Sequence, residues 1–272
     1  MKKVLAFCIL LNLPFLIAFS QSDANNKFRF GLRVAAEPCW LRSNDLKRVE
    51  PSGPILGTGF GLVLDWKISD VASFSSGIGG DFEGGKQDFK DTVFYVFDID
   101  DNIKQFSDVT NAEANDVSTY MLLSRKLKTT SVTIPLTLKL STREIGGIRY
   151  FGQFGLNLGW LVKLRSTDEV KAVSVKGVNK GYAAETLEDV NPYFGTIPIR
   201  IGLNAGIGGE YRLSGTTAIY CSVDYIHQFI NTFVENTKYY SNKISGSPKT
   251  LSDAAKMTAY GSGIQINVGV LF

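Results

Sequence analysis

Apolar and polar residues alternate one by one along eight segments of this chain. In the last segment, 264–272, bulky apolar side chains occupy every second position, and Gln265, Asn267 and Gly269 lie between them. A period of two residues predicts a β-strand, because successive side chains of a strand point to opposite faces. The eight segments predicted to be strands are 28–34, 59–68, 71–82, 131–140, 148–163, 196–213, 217–229 and 264–272.

The connections between these segments alternate between short and long. Residues 69–70, 142–147 and 214–215 form the short ones, and the longest of the others runs from about 84 to 127. Outer-membrane barrels have short periplasmic turns and long extracellular loops. We therefore predict an all-β fold, namely an eight-stranded antiparallel transmembrane β-barrel with short periplasmic turns, long extracellular loops and both termini in the periplasm. Ten strands stay open if 93–97 pairs with part of 118–124.

The alternative fold is a secreted lipocalin-like barrel. Such a barrel would place the aromatic, Leu and Ile positions of these strands in water and fill its core with Arg, Asp and Lys. That distribution is the reverse of what burial favours in a soluble protein. The pattern therefore favours a barrel whose apolar outer face meets lipid.

The two ends of the chain carry export signals. Lys2 and Lys3 precede an apolar run at 4–18, and Ala18-Phe19-Ser20 is a small-x-small cleavage site. We expect a signal peptide at 1–20 and one barrel domain at 21–272. Phe272 ends the final strand and resembles the C-terminal signal through which the barrel assembly machinery recognises such proteins. These features predict the outer membrane of a Gram-negative bacterium, with membrane lipid as the surrounding partner.

Charge and cysteine content bear on nucleic-acid binding and on disulfide formation. Without the signal peptide the net charge is about +1, which gives no reason to expect nucleic-acid binding. Two cysteines remain, Cys39 and Cys221, and they fall in segments that are not predicted neighbours. We therefore expect no disulfide between them.

Charged side chains of both signs fall on inward-facing positions of the predicted strands. An eight-stranded barrel is just wide enough for side chains to fill it, and a charge cut off from water needs a partner. We expect a network of paired charges that closes the barrel; the alternative is a narrow ion or proton path. The predicted network consists of Arg29, Arg33, Asp65, Asp81, Lys139, Arg200, Glu210 and Asp224.

Candidate catalytic and metal-binding residues are few. His227 lies three residues after Asp224, and odd spacing places the two on opposite faces of a strand, so they form no dyad. Residues 98–102 (Asp-Ile-Asp-Asp-Asn) begin like a calcium-binding loop, but Ile103 and Val109 stand where glycine and glutamate are needed, so the regular calcium loop fails and only an irregular, weak divalent-cation site stays open. We predict a protein that is not an enzyme and that has no cofactor.

Several of the strands resemble those of one family. The segment 134–139 (Ile-Pro-Leu-Thr-Leu-Lys), the Phe-Gly-Leu sequences at 30–32 and 154–156, the Gly-Phe-Gly-Leu at 59–62 and the terminal Phe272 are similar to the PorT-like outer-membrane barrels of Bacteroidetes. The resemblance covers the mature chain and implies an accessory or scaffold role with secretion or surface-assembly machinery of the type IX kind. It supplies no catalytic residue.

Two functions therefore stay open from the sequence. The first is the accessory or scaffold role, with secretion-system components as possible partners. The second is a surface binding module or adhesin that acts through the long extracellular loops, especially 86–124.

Overall fold

A computed structural model describes residues 27–97, 103–105, 118–175, 183–192, 195–234, 237–245 and 250–272. The predicted signal peptide at 1–20 lies outside these residues, as does the calcium-like segment at 98–102. The described strands are β1 Phe28–Arg42, β2 Val49–Gly53, β3 Ile55–Lys67, β4 Ala72–Phe97, β5 Ile103–Lys104, β6 Ser118–Ser141, β7 Ile148–Val175, β8 Ala184–Val190, β9 Ile199–Ser214, β10 Thr217–Gln228, β11 Ser241–Ser245, β12 Thr250–Ala254 and β13 Tyr260–Leu271. No helix among the described residues is long and apolar enough to cross a membrane.

Eight of these strands form a closed antiparallel ring. The order around the ring is β1-β3-β4-β6-β7-β9-β10-β13, and β13 pairs back with β1. Each strand therefore pairs with its neighbours along the chain, as in an up-and-down barrel. The predicted eight-stranded antiparallel transmembrane barrel is confirmed.

The alternative of ten strands is wrong, although the pairing on which it depended is present. Val93 pairs with Leu122 and Phe97 with Ser118. These residues belong to the same β4 and β6 that cross the membrane, so the pairing lengthens two strands and adds none. The predicted loop at 84–127 is wrong for the same reason, because β4 continues to Phe97 and β6 begins at Ser118.

The outer face of the ring carries a belt of exposed apolar side chains. Along β7 the belt runs from Tyr150 to Trp160, which is about 33 Å of strand and about 25 Å of height at the usual barrel tilt. This height matches the apolar band of a transmembrane barrel. Exposed aromatic side chains mark both edges: Phe28, Trp66, Tyr150, Tyr211 and Phe272 on the side of the tight turns, and Phe60, Phe82, Trp160, Tyr225 and Phe229 on the other.

The connections at the periplasmic end are tight. Residues 68–71 join β3 to β4, 142–147 join β6 to β7, and Gly215 and Thr216 join β9 to β10. Ser214, predicted as part of that last turn, is still in the strand. Gly215 has a φ of +57°, the left-handed conformation that glycine adopts without strain. At the same end Phe272 donates its backbone N–H to Phe30 (2.7 Å), which fixes the C-terminal residue against β1.

At the other end the strands extend well beyond the apolar belt. We call this part the extracellular extension; it comprises residues 84–97 of β4, 118–130 of β6 and 161–175 of β7, together with β2, β5, β8, β11 and β12. The short strands pair with the long ones: β2 and β5 with β4, β8 with β7, and β11 with both β4 and β12. The long connections of the sequence are therefore largely folded as sheet.

Candidate functional site

The lower part of the barrel interior holds a four-residue charge cluster. Arg29 of β1 pairs with Asp65 of β3 and with Glu210 of β9, at 3.0 Å between Nη1 and Oε2 of the second pair. Lys139 of β6 also pairs with Glu210, and its ammonium group lies 4.1 Å from the centroid of the Phe151 ring. The cluster joins strands from opposite sides of the ring, so it spans the lumen.

The middle of the interior is organised around Arg33. Its guanidinium donates to Gln265 (2.8 Å) and Asn267 (3.1 Å) of the neighbouring β13. It also pairs with Asp81 of β4 at 3.4 Å. Asp81 accepts a hydrogen bond from the Thr133 hydroxyl as well, so that both of its oxygens have partners.

Asp224 is fully buried but pairs with neutral donors. Its carboxylate accepts hydrogen bonds from Ser222 (2.6 Å), Asn267 (2.7 Å) and Gln153. Among the described residues no cation lies within ion-pair distance of Asp224, which differs from the charge pairing expected from sequence. Three donors satisfy a buried carboxylate in place of one cation.

The upper interior contains two carboxylates that the sequence reasoning missed. Glu83 pairs with Arg200 (3.3 Å) and accepts a hydrogen bond from Gln228 (2.9 Å), while Gln228 in turn accepts one from Arg200 (2.9 Å). Glu37 accepts a hydrogen bond from Gln265 (3.1 Å). Glu37 and Glu83 fall just beyond the predicted ends of their strands. The signal that would have found them is the inward alternation, which continues past those ends.

Packed side chains close the interior. Phe151, Tyr220 and Leu271 form a small apolar cluster near the periplasmic end. The cavity above it measures about 60 Å³, and the one beside Glu37 and Arg200 about 10 Å³. A water molecule needs about 10–15 Å³ by this measure, so the larger cavity has room for a few waters and the smaller for about one. Polar and charged side chains therefore fill most of the described interior.

The extracellular extension has its own hydrophobic core. Its members come from the upper parts of the long strands, from the short strands and from the segments between them. They form one contiguous cluster: Leu41, Val49, Phe89, Val93, Tyr95, Ile103, Tyr120, Leu122, Leu127, Leu161, Leu164, Val170, Ala172, Val190, Phe233, Tyr240, Ala255, Met257 and Ala259. A buried core of this kind fixes the extension in one arrangement on top of the barrel.

A fully buried ion pair crosses that core. Arg125 of β6 donates to both oxygens of Asp168 of β7, at 2.8 and 2.6 Å. Its remaining amino group donates to the Tyr240 hydroxyl at 2.8 Å, and the Tyr95 hydroxyl donates to Asp168 at 3.2 Å. Both charged side chains have an exposure of 0%. The four residues join β4, β6, β7 and the segment before β11, so the pair links separate parts of the extension.

Burial shifts the pKa values of this group. Burial by itself lowers the pKa of Arg125, but the Asp168 carboxylate more than offsets it, and the pKa lies above its ordinary value. Burial raises the pKa of Tyr95 well above 10.0, and the charge of Asp168 adds to that shift. Burial raises the pKa of Tyr240 as well, although Arg125 acts against it. Arg125 is therefore charged and both tyrosines are neutral at physiological pH.

The remaining candidate residues form no reactive site among the described residues. His227 lies 3.2 Å from the Tyr225 hydroxyl, whereas Asp224 is fully buried inside the barrel, so these two form no dyad. No group of three or more His, Cys, Asp or Glu in the described chain is arranged to hold a metal ion. Cys39 is buried and Cys221 is exposed on the outer wall, and both are free thiols.

The fold and its interior define a transmembrane β-barrel with a closed lumen and a structured extracellular extension. No protein-family model and no curated protein sequence matches the chain. The resemblance to PorT-like barrels therefore stays a prediction.

Solved structures that are similar to this chain are outer-membrane barrels. A major outer membrane protein from Thermus thermophilus shares 11% identity over 91% of this chain and 100% of its own (TM-score 0.38). Neisserial surface protein A shares 10% over 89% and 97% (0.37), and OprG from Pseudomonas aeruginosa shares 11% over 89% and 94% (0.35). Similarity at this level carries no argument about function, which has to rest on this chain's own residues.

Proposed function

We propose that this protein is a non-conducting, non-enzymatic outer-membrane barrel that presents its extracellular extension to a macromolecular partner. The observation that carries the proposal is the asymmetry between the two ends. The periplasmic end offers three tight turns, whereas the other end offers a folded extension with nineteen core residues. A rigid core supporting surface loops is the arrangement that proteins use to position binding residues.

The barrel interior supports the same proposal because it leaves little room for transport. The interior cavities formed by the described residues hold at most a few waters, and the charges that line them are held by cross-lumen pairs. The described residues also hold no nucleophile with a base and an orienting group on one face, which argues against catalysis. Binding at the surface is then the function that the folded extension supports best.

An accessory role with secretion machinery is the second candidate. It is favoured by the similarity of the strand at 134–139 and of the other quoted strands to the PorT-like barrels. In this role the partner is an envelope protein of the type IX kind. Such a partner contacts the barrel wall or the periplasmic turns rather than the extension.

Affinity isolation of the native protein from membranes tests these proposals. In one variant a two-residue turn replaces 98–117, because Phe97 and Ser118 pair directly and a short turn can join them. In a second variant the turn at 142–147 is exchanged for another sequence of the same length. Each variant is first checked for a folded barrel by its heat-dependent migration on gels.

The outcomes separate the candidates. Loss of a reproducible partner in the first variant alone supports binding through the extension. Loss in the second variant alone supports a scaffold that is contacted from the periplasm. If wild-type protein brings down no partner from whole envelopes or from a panel of surface macromolecules, both proposals are wrong.

A further inference from the structure

Five cations lie together on the outer face of the barrel, just above the apolar belt. They project outward from three adjacent strands. Their neighbours along the chain, Gly85, Leu127 and Leu164, are buried on the inner face, and successive positions of a strand face opposite sides. We call this set the basic patch; it consists of Lys86 on β4, Lys126 and Lys128 on β6, and Lys163 and Arg165 on β7.

The register of the sheet sets like charges directly opposite each other in this patch. Lys86 pairs with Lys126, and Lys128 pairs with Arg165. Directly opposed side chains in an antiparallel pair have Cβ atoms about 5 Å apart, and like charges at that distance destabilise the sheet. Among the described residues the only ion pair of the patch joins Arg165 to the exposed Asp189 at 3.2 Å. An external anion bound between these side chains would relieve the repulsion among them.

The height of the patch identifies that anion. On the same strands the last exposed apolar side chains are Phe82, Val132 and, just beyond Trp160, Val162. The cations follow one to six residues further along these strands, which is at most roughly 15 Å of height at the usual rise and tilt. The headgroup layer of a bilayer extends about 5–8 Å beyond the hydrocarbon on each side, and the long Lys and Arg side chains can reach down into it from above. The side chains therefore lie among the headgroups of the extracellular leaflet.

Among the described residues, the unpartnered cations at this level are also concentrated on one side of the barrel. Further round the ring, the outward Pro38, Leu56 and Phe229 are uncharged. The cation at that level, Arg42 of β1, already donates to Ser262 (2.7 Å) and to the Gln228 carbonyl (2.9 Å). Attraction to a generally anionic membrane surface would be served equally well by cations spread around the whole ring. Their concentration fits a ligand with several phosphates held close together.

We propose that the basic patch binds the phosphate groups of a phosphorylated glycolipid of the lipid A type in the outer leaflet. The phosphates lie between the opposed lysines and neutralise them, and the acyl chains follow the apolar wall below. The interaction is independent of any partner of the extension.

Two variants with the same change of charge test the proposal in the full chain. In the patch variant, Lys86, Lys126, Lys128 and Lys163 are each replaced by Gln. In the control variant, four lysines outside the patch, Lys47, Lys90, Lys238 and Lys256, are each replaced by Gln. Both are reconstituted in phosphatidylcholine nanodiscs, with bisphosphorylated lipid A, with dephosphorylated lipid A, with phosphatidylglycerol or without addition.

The expected result is a crossing of stabilities. Without added lipid the patch variant unfolds at a temperature equal to or above that of the wild type, because the like-charge pairs are gone. With bisphosphorylated lipid A the wild type and the control variant gain several degrees and the patch variant does not, and retained lipid A per barrel falls at least tenfold in the patch variant by native mass spectrometry. The dephosphorylated lipid has no effect.

Three results would overturn the proposal. They are equal retention of lipid A by the patch and control variants, equal stabilisation by phosphatidylglycerol and bisphosphorylated lipid A, and patch-dependent binding of soluble heparin without any binding of lipid A. The folded state of each variant is read from its heat-dependent gel migration, so a loss of binding is not confused with a loss of the barrel.

Discussion

Removing one partner of the buried Arg125–Asp168 pair should loosen the extracellular extension and leave the barrel intact. In Asp168→Ala the Arg125 guanidinium loses both carboxylate bonds, at 2.8 and 2.6 Å, and Tyr95 loses its acceptor. Arg125 has an exposure of 0%, so water cannot replace the carboxylate without opening the core. Breaking a fully buried pair in this way costs about 3–5 kcal/mol. The extension should then open at least about a hundredfold more often.

The double variant Arg125→Met/Asp168→Leu separates charge from packing. It removes both charges and fills the space with apolar atoms, and such exchanges are often neutral or stabilising, although the Tyr95 and Tyr240 hydroxyls each lose one hydrogen bond here. We expect it to lie within about 1–2 kcal/mol of the wild type, far closer than either single variant. Arg165→Gln is the control on the same strand: its pair with Asp189 is exposed and should contribute at most about 1 kcal/mol.

Hydrogen exchange of the folded protein, measured by mass spectrometry, shows which segments of the chain open more often. In Asp168→Ala, exchange should quicken in 84–97, 118–130 and 161–175 and stay unchanged in the apolar belt. Protease cleavage should appear in the same segments, while the gel migration of the unheated barrel is retained. The reasoning is refuted if Asp168→Ala exchanges like Arg165→Gln, or if the loss of protection extends evenly through the barrel.

Four further outcomes follow from the same structure. In planar bilayers the refolded protein should give no stable large-conductance steps, since the larger interior cavity is only about 60 Å³; regular steps would contradict a sealed lumen. Gly208→Ala should lower the stability of the barrel by about 1–3 kcal/mol, because the new methyl group overlaps Phe151 inside the barrel. Gly209→Ala makes only ordinary van der Waals contacts, the nearest at 3.8 Å, and should change little; urea titration in detergent compares the two variants. Deletion of Phe272 should reduce the amount of protein inserted into the outer membrane of cells and leave folding of the purified protein in detergent nearly unchanged. Equal insertion of the deletion variant and the wild type would show that Phe272 is not an assembly signal. At alkaline pH the extension should loosen before the barrel, because the folded-state pKa of Tyr95 and Tyr240 is raised: the stability that they contribute is complete below the unfolded pKa of 10.0 and is lost as the pH rises above it. Absorbance at 295 nm, which reports tyrosine ionisation, and parallel proteolysis will follow this loss. Ionisation of all tyrosines near pH 10 without any opening of the extension would show that these two are not protected.

The sequence by itself determined the strands of the barrel, their number and the side to which each residue points. A strand repeats every two residues, and lipid outside against a polar lumen inside turns that repeat into a strict alternation that can be read locally. For this reason Arg29, Arg33 and Lys139 could be assigned to the interior, and Phe60 and Trp160 to the outer face, before any contact was known.

Only the tertiary structure decided where each inward charge finds its partner and how far the strands continue. Arg33 meets Gln265 across 232 residues, and Arg125 and Asp168 lie in two different segments that the sequence predicts to be loops. Above the membrane the outer face meets water and the inner face meets the core of the extension, so the sense of the alternation is reversed. Register shifts between Asp88 and Val93 and between Thr130 and Ser131 also interrupt its phase, so the pattern of the membrane part does not continue into the extension. The opposed lysines of the basic patch were equally invisible, because sequence shows the charges of a strand but not the register that sets them side by side.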